Sequence, residues 1–245
     1  MSIKLSKKIM SKLGKTNAEF ELIAEGDKIL VGLSGGKDSL TMIHAMQEQQ
    51  RRAPFKFEFL AVTISYGMGE NYDALHEHCK EYDIPHITVD TKVYDLAKEK
   101  IRKNSSFCSF FSRMRRGYLY TAAQENGCNK VALGHHMDDA AESFFMNFIY
   151  NGQMRSLAPK YKAENGLIVI RPLIQMRERQ LRAFVDDNNI SAIGDEACPA
   201  MRFDVKMPHA RANMKVMLAR LEKDFPSIFT SLNAAFKNIS VDSFF

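Results

Sequence analysis

The chain has 245 residues, of which 45% are hydrophobic, and it carries a formal net charge of +5. This composition predicts one large globular domain with small additions, and the mild basic excess permits a nucleic-acid partner without requiring one. Four unevenly spaced cysteines argue against a disulfide framework and for a reducing compartment, which predicts the cytoplasm. We also expect no membrane span or signal peptide, because the chain lacks the apolar runs that they require.

The N-terminal residues, 1–25, predict a basic amphipathic helix, because apolar residues recur between lysines. Lys8 and Lys12 belong to its basic face. We expect this face either to contact RNA phosphates or to be simply solvated, and both interpretations stay open here.

A phosphate-binding loop is predicted after the first strand. Residues 29–33 are mostly apolar and predict a buried strand, and 41–50 predict a helix. Between them stand Ser34, Gly35, Gly36, Lys37, Asp38 and Ser39. Glycines allow a tight turn and a close approach to a ligand, and a helix N-terminus favours an anion. We expect the serines and glycines to donate to a pyrophosphate, Lys37 to add positive charge and Asp38 to help hold Mg²⁺.

Four further strands are predicted, at 57–65, 84–89, 130–133 and 167–170, with helices at 72–82, 140–150 and 177–188. This alternation predicts an α/β fold with a parallel five-stranded sheet flanked by helices. A further short strand at 190–193 stays open, and 211–236 predict a basic amphipathic helical region. Ligands of such sheets lie at the carboxyl ends of the strands, so we expect the adenosine of a nucleotide near Val62, Ser65, Gly134 and His135.

The segment 134–139 places a glycine and four polar side chains after the fourth strand. Gly134 allows a nucleotide to approach closely. The polar residues are His135, His136, Asp138 and Asp139. Metal binding by this set is one interpretation, and helix capping by Asp138 or Asp139 is the other.

The segment 104–117 combines a cysteine with three arginines. Arg113, Arg115 and Arg116 suit contacts with phosphate. Cys108 stands at a predicted helix start, where the helix dipole lowers the pKa of a thiol. The alternative for Cys108 is a buried structural cysteine.

Four motifs together resemble one family. They are S-G-G-K-D-S at 34–39, C-S-x-x-S-R-x-R-R-G at 108–117, L-G-H-H-x-D-D at 133–139 and I-R-P-L at 170–173. In this order they resemble the tRNA cytidine 2-sulfurtransferases, which are PP-loop ATP pyrophosphatases with an adenine nucleotide alpha hydrolase-like fold. The resemblance implies a PP-loop domain over 26–200, preceded by the helix 1–25 and followed by a helical extension over 201–245.

The resemblance also implies a reaction. Such an enzyme uses ATP and Mg²⁺ to adenylate the C2 oxygen of a cytidine in tRNA and then replaces it by sulfur, releasing AMP and pyrophosphate. The implied partners are tRNA and a sulfur donor such as a cysteine desulfurase. Whether the chain acts alone or as a homodimer stays open.

The family carries a [4Fe-4S] cluster on two CxxC motifs, and here each motif is incomplete. Cys108 and Cys198 remain, while Phe111 and Asp195 stand at the other two cysteine positions. Three chemistries stay open: a cluster held by Cys108, Cys198 and Asp195, a cluster-free persulfide pair, and loss of thiolation. We interpret Cys79 and Cys128, which lie outside the motifs, as structural.

Two other functions remain as rivals. An enzyme similar to tRNA lysidine synthetase would keep the PP-loop but would not need the two cysteines for chemistry. A non-catalytic tRNA-binding protein would need neither, and an intact S-G-G-K-D-S argues against it.

Overall fold

The computed structural model describes residues 3, 5–100, 107–190, 210–240 and 242, without the side chains at 98, 100 and 107–109. The first half of the chain forms α1 (Lys7–Phe20), β1 (Lys28–Gly32), α2 (Lys37–Arg52), β2 (Glu58–Ile64), α3 (Asp73–Glu81), β3 (His86–Val89), α4 (Val93–Lys100) and α5 (Phe107–Glu125). The second half forms β4 (Lys130–Ala132), α6 (Met137–Asn151), β5 (Lys160–Lys162), β6 (Ile168–Ile170), α7 (Glu178–Asp187), α8 (Ala210–Asp224) and α9 (Ile228–Ala235).

One sheet organises the fold, with the strand order β3-β2-β1-β4-β6-β5. β1 pairs in parallel with both β2 and β4, and β3 and β6 continue the parallel pairing on the two sides. The predicted α/β fold is therefore confirmed. Because the chain first builds outward from β1 through β2 and then returns to β4 on the other side, the ends of β1 and β4 flank the topological switch point, where open sheets of this kind bind ligands.

Within the described ranges the sheet has six strands, which corrects the predicted five. The additional strand, β5, pairs antiparallel with β6 at the sheet edge. It has three residues, Lys-Tyr-Lys, so its single apolar side chain gives no alternating pattern to recognise. A tight turn forms it instead, with Gly166 at φ +89° and the Ala163 N–H donating to the Leu167 carbonyl at 2.8 Å.

The helix boundaries refine the predictions at both ends of the chain. The N-terminal helix spans only Lys7–Phe20, because Glu21 adopts the left-handed conformation and ends it. The C-terminal helical region divides into α8 and α9 around Pro226, which cannot continue a helix. Of the proposed strand at 190–193, residues 191–193 lie outside the described part.

Helices cover both faces of the sheet, and alternate residues of β1 show this directly. Ile29 and Val31 belong to one apolar cluster, which contains side chains of α1, α2 and α7. Leu30 belongs to a second cluster, which contains side chains of α5. The apolar face of α1 is part of the first cluster through Ile9 and Leu13, so its lysines are left on the outer side. None of the helices in the described ranges is long and apolar enough to cross a membrane.

A buried ion pair fixes the amino end of β4. The Lys130 ammonium lies 2.6 Å from Asp27 Oδ2, and both side chains are under 8% exposed. Lys130 also donates to the Leu22 carbonyl at 2.9 Å. Burial opposes ionisation of Asp27, but hydrogen bonds from Lys130, the Ala24 N–H and Asn129 outweigh it and lower the pKa of the carboxyl. The pair therefore joins the segment before β1 to the start of β4.

We predict that Lys130→Met will destabilise the protein by about 3–5 kcal/mol, because it leaves the Asp27 carboxylate buried without its cation. Urea denaturation would measure the free energy of unfolding. Arg52→Met is the matched control, since Arg52 is 61% exposed and its partner Glu48 also pairs with Arg51; we expect it to cost less than about 1 kcal/mol. Equal losses in the two variants would contradict the prediction.

Candidate active site

The PP-loop (residues 34–39) follows β1 at the switch point and is closed by its two serines. The backbone N–H of Ser34 donates to Ser39 Oγ at 3.1 Å, and the two hydroxyl oxygens are also 3.1 Å apart. Ser39 Oγ donates to the Gly36 carbonyl at 2.9 Å. Gly35 has φ +78°, a conformation that side chains rarely adopt. These contacts fold the loop back on the first turn of α2.

The N-terminus of α2 has the geometry of an anion site. Its N-cap residue is Gly36, which offers no side chain to the first N–H groups of the helix. Those donors therefore stay available, and the helix dipole adds a partial positive charge at the same place. The binding of a pyrophosphate at this place stays a prediction.

Lys37 is held in an alternating row of charges. Its ammonium lies 3.0 Å from Glu178 Oε1, and the ammonium of Lys215 lies 3.0 Å from Glu178 Oε2. Burial opposes ionisation of Glu178, but hydrogen bonds from Lys215 and Lys37 lower its pKa to about 2. The PP-loop is thereby joined to α7 and α8, and an arriving phosphate would compete with Glu178 for Lys37.

Asp38 has a buried oxygen without a hydrogen-bond partner. The Lys37 ammonium lies 3.4 Å from both carboxylate oxygens, but its hydrogen bond goes to Oδ2. Oδ1 is buried and accepts no hydrogen bond from the described residues. Burial raises the pKa of Asp38, while His136, whose Nε2 lies 3.7 Å away, and Lys37 lower it only in part. A buried carboxylate oxygen that lacks a donor suits a divalent cation, and Mg²⁺ commonly uses one or two carboxylates together with substrate phosphates.

Gly134 packs directly against the PP-loop. A Cβ at this position would lie 3.3 Å from the carbonyl carbon of Asp38 and 3.4 Å from the backbone nitrogen of Ser39. Both are backbone atoms that cannot move aside as a flexible side chain can. The loop after β4 therefore contacts the loop after β1, and glycine is the residue that permits it.

Helix α6 is capped by His136, which corrects the prediction of Asp138 or Asp139. The His136 ring accepts from the Asp139 N–H at 3.4 Å, and the Asp139 carboxylate accepts from the His136 N–H at 3.0 Å. This is a capping box with histidine in place of the usual serine or threonine, which explains why the sequence did not reveal it. The described residues contain no group of three or more His, Cys, Asp or Glu side chains that could hold a metal, so the metal interpretation of this segment finds no support.

Asp138 instead forms part of a second charge cluster. It accepts hydrogen bonds from the guanidinium of Arg177 at 3.1 Å and from the Glu178 N–H at 2.7 Å. Arg177 also pairs with Glu222 of α8 at 2.6 Å and stacks on Phe229 of α9. The sequence analysis did not single out Arg177 or Glu178, because charged residues at the start of a helix also fit a solvated helix end.

His135 contacts a buried arginine that the sequence analysis quoted only as part of a motif. Arg171 Nε donates to His135 Nδ1 at 3.1 Å, and Arg171 is 4% exposed. Its guanidinium lies 5.2 Å from the ring centre of Tyr161. Burial and the neighbouring positive charge of Arg171 lower the pKa of His135 to about 4. His135 is therefore neutral at physiological pH.

Two predicted nucleotide contacts are enclosed in the structure. Val62 is fully buried, and its carbonyl accepts from the Leu33 N–H. Ser65 is 8% exposed, and its hydroxyl donates to Glu70 at 3.3 Å. These contacts were predicted only from positions at or near the end of β2. In the structure both residues are buried. Contacts of Val62 and Ser65 with a nucleotide stay a prediction.

The cysteine positions divide into two groups. Cys108 lies in the first turn of α5, as the predicted helix start requires, while its side chain, Asp195 and Cys198 lie outside the described residues. Cys79 and Cys128 are buried, and burial raises their pKa values, that of Cys79 to about 11. Buried thiols with raised pKa values fit the structural role predicted for them.

Phe111 is a core residue. It is 4% exposed and packs with Val93 and Ala97 of α4, and its ring meets that of Tyr66 edge-on at 5.8 Å. It stands one helical turn after Cys108, so the place of a second α5 cysteine is filled by a packed aromatic ring.

The predicted RNA-binding side chains lie on two helices. Arg113 and Arg116 of α5 are exposed, and Arg115 is half-buried. On α1, Lys8 is exposed and Lys12 is half-buried. Burial and the charges of Lys8, Arg177 and Arg179 lower the pKa of Lys12, so α1 and the start of α7 present cations to the same region.

Comparisons with known proteins agree with this geometry. A family model described as a PP-loop domain matches residues 5–207. The tRNA-cytidine(32) 2-sulfurtransferase of Geobacter metallireducens is 41% identical over 236 residues, which cover 95% of this chain and 90% of that protein. The protein of the same name from Citrifermentans bemidjiense is 41% identical over 235 residues, with 95% and 90% coverage.

A solved structure is similar over almost the whole chain. It is the U34-tRNA thiolase NcsA from Methanococcus maripaludis with its [4Fe-4S] cluster. The similarity has a TM-score of 0.75 at 26% identity and covers 96% of this chain and 80% of that one. The common architecture extends beyond the PP-loop to nearly all of the elements described above.

We predict that Gly134→Ala will weaken ATP binding strongly and cost about 1–3 kcal/mol of stability, because the added methyl group presses on the backbone of Asp38 and Ser39. Calorimetric titration with ATP and thermal unfolding would measure the two effects. Gly117→Ala is the control, since nothing lies within 4 Å of a Cβ there. Unchanged ATP affinity in Gly134→Ala would show that the contact is not needed.

Proposed function

Because the chain belongs to the PP-loop family and to the tRNA-cytidine(32) 2-sulfurtransferases within it, we propose that it catalyses ATP-dependent thiolation of tRNA. The substrate atom is the C2 oxygen of a cytidine, and position 32 is inferred from the names of the relatives. The observation that carries the proposal is the N-terminus of α2 after β1, whose first N–H groups have no side-chain cap and which carries Asp38, with an oxygen that accepts no hydrogen bond, in its first turn.

The first step is adenylation. The triphosphate of ATP lies against the N-terminus of α2, where the backbone N–H groups and Lys37 offset its charge. The C2 oxygen of the cytidine attacks the α-phosphorus, an O–P bond forms, and pyrophosphate leaves with the electron pair of the broken bond. Mg²⁺, when bound, would be held by Asp38 and supplies further positive charge to the phosphates.

The second step exchanges oxygen for sulfur. A sulfur nucleophile attacks C2, a C–S bond forms, and AMP leaves with the electron pair of the C–O bond. Adenylation makes this exchange feasible, because AMP is a far better leaving group than an oxide. The exposed cations of α1 and α5, Lys8, Arg113 and Arg116, support a tRNA surface beside the site.

The residues of this chain do not fit the [4Fe-4S] cluster that NcsA carries. The sequence has four cysteines, and Cys79 and Cys128 are buried in two different apolar clusters. Phe111 fills its position with a packed ring. At most two thiolates, those of Cys108 and Cys198, remain, whereas clusters of this type are held mainly by cysteine thiolates. We therefore assign no step to a cluster.

A persulfide supplies the sulfur in the proposed route. One of Cys108 and Cys198 receives a persulfide from a donor such as a cysteine desulfurase, and its terminal sulfur attacks C2. The other cysteine then attacks the remaining protein sulfur, so the S–S bond to the base breaks and its electron pair stays on the tRNA sulfur. The resulting protein disulfide is reduced by a cellular thiol. Cys108 at the first turn of α5 supports this role, since a helix N-terminus favours the thiolate.

We predict that Asp38→Ala will abolish ATP-dependent release of AMP and pyrophosphate, because it removes the carboxylate proposed to hold Mg²⁺ in the first turn of α2. Pyrophosphate assays and mass spectrometry of tRNA nucleosides would measure the two products. Asp73→Ala is the matched control, since Asp73 is an exposed first-turn acid of α3. Normal AMP release from Asp38→Ala would refute the assignment.

The rivals predict different products. In Cys108→Ser and Cys198→Ser variants, thiolation should be lost, whereas a lysidine-forming enzyme would keep its activity. A non-catalytic tRNA-binding protein would bind tRNA without releasing any pyrophosphate.

We predict that protein purified without oxygen will hold no stoichiometric iron or acid-labile sulfide, even after reconstitution. The double variant Phe111→Cys with Asp195→Cys restores both CxxC motifs and should gain a cluster under the same conditions. Metal analysis and the ultraviolet–visible spectrum would measure the iron and sulfide content of both proteins. Stoichiometric iron and sulfide in the unchanged protein, lost in Cys108→Ser, would overturn the persulfide route.

A further inference from the structure

The neutral His135 side chain has one nitrogen whose role is already fixed. The guanidinium of Arg171 is always protonated and can only donate, so His135 Nδ1, at 3.1 Å from Arg171 Nε, must accept. A neutral imidazole carries a single proton, and with Nδ1 accepting, that proton lies on Nε2. The Arg171 contact therefore selects one of the two tautomers.

Arg171 is itself rigidly held. It is 4% exposed, its Nη1 donates to the Ala158 carbonyl, and its backbone N–H donates to the Pro159 carbonyl at 2.9 Å. Its guanidinium lies over the ring of Tyr161, whose hydroxyl is 3.1 Å from that of Tyr120. A guanidinium fixed at this many points holds the imidazole in one orientation.

The other nitrogen, Nε2, has no acceptor within the described part of the chain, and it is not among the enclosed, unpartnered atoms there. Nε2 is therefore not fully enclosed, and His135 itself is partly exposed. His135 directly follows Gly134, which packs against the backbone of Asp38 and Ser39, so His135 is the next residue along the chain from the contact with the PP-loop.

We propose that Arg171 is a positioning residue that fixes His135 as the Nε2–H tautomer, and that Nε2–H donates a hydrogen bond to a lone pair of the bound substrates. The acceptor belongs either to ATP or to the cytidine, and both present oxygen or nitrogen lone pairs. This rests on the proposed function for the identity of the substrates, but the tautomer itself does not depend on it.

The charges around His135 favour a neutral imidazole that donates a hydrogen bond, rather than one that gains and loses a second proton near neutral pH. The charged and titratable groups that act on His135 are Arg171, Asp139, Arg211 and His136. Asp139 would favour the imidazolium, but it pairs with Arg211 at 2.6 Å, and burial and Arg171 oppose a second proton. His135 thus presents the same hydrogen between about pH 5 and 8, the range over which an ordinary histidine changes charge.

The tautomer can be observed directly by nitrogen-15 NMR of labelled protein, with the His135 signal assigned by its loss in His135→Gln. We expect a protonated Nε2 and an unprotonated Nδ1 that do not change between about pH 5 and 8. Arg171→Met should give a mixture of tautomers that titrates in this range, while Tyr161→Phe, which keeps the ring under Arg171, should not. A protonated Nδ1 or an imidazolium at neutral pH in the unchanged protein would overturn the proposal.

The donor role is tested by two amide variants that copy different ring nitrogens. The amide nitrogen of Gln reaches about as far as Nε2, and that of Asn only about as far as Nδ1. We expect His135→Asn to lower ATP affinity or the rate of tRNA thiolation by about 10- to 100-fold, the usual effect of removing one hydrogen bond to a substrate. His135→Gln should lower the same quantity clearly less. Arg171→Met should show a loss similar to that of His135→Asn in the same measurement.

Each variant is measured for ATP dissociation constant and for tRNA thiolation. If His135→Asn binds ATP more weakly than His135→Gln does, the acceptor belongs to the nucleotide. If the two variants differ only in the rate of tRNA thiolation, the acceptor belongs to the cytidine. If the unchanged protein binds ATP but forms no thiolated tRNA, the proposed function fails while the comparison of ATP affinities still decides the donor role. Equal values for the Asn and Gln variants in both measurements, or no ATP binding by any of them, would overturn the donor role whatever the tautomer.

Discussion

The architecture depends on the parallel pairing of β1 with β4, which brings two distant loops to the same edge of the sheet. The PP-loop leaves β1 and the segment beginning at Gly134 leaves β4, and the two meet at backbone-to-backbone distance because Gly134 has no side chain. Their contact defines the crevice at the switch point. The phosphate donors of α2, the carboxylate of Asp38 and the imidazole of His135 all take their positions from this contact.

Charge pairing then attaches the outer helices to that crevice. Glu178 links Lys37 of the PP-loop to Lys215 of α8, and Asp138 with Glu222 clamps Arg177. Lys215 is 60% exposed, but the other side chains in these pairs are only 13–27% exposed, so removing one of them would leave a largely buried charge without its partner. They also pair the Lys37 ammonium with carboxylates, so an arriving anion would have to compete with Glu178 for it.

The proposed persulfide route distinguishes this chain from the cluster-bearing thiolase that it resembles in fold. The Phe111 ring is packed between α4 and α5. Replacing it with a metal ligand would leave a cavity in the apolar contacts that join these two helices. The same adenylating half can therefore serve a different sulfur source, because adenylation depends on the strand-end loops and sulfur delivery depends on the cysteines.

The sequence by itself determined the α/β class, the PP-loop, the cysteine departures and most strands, because these follow from local apolar patterns and from residues that are adjacent in the chain. It missed β5, whose three residues carry no pattern, and it assigned the α6 cap to an aspartate, because a histidine cap depends on ring geometry. Only the tertiary structure decided which distant side chains meet: Arg171 reaches His135, and Glu178 reaches Lys37, across 36 and more than a hundred residues respectively. Such pairs depend on how helices and strand ends are packed in space, and no local pattern in a single sequence encodes that distance.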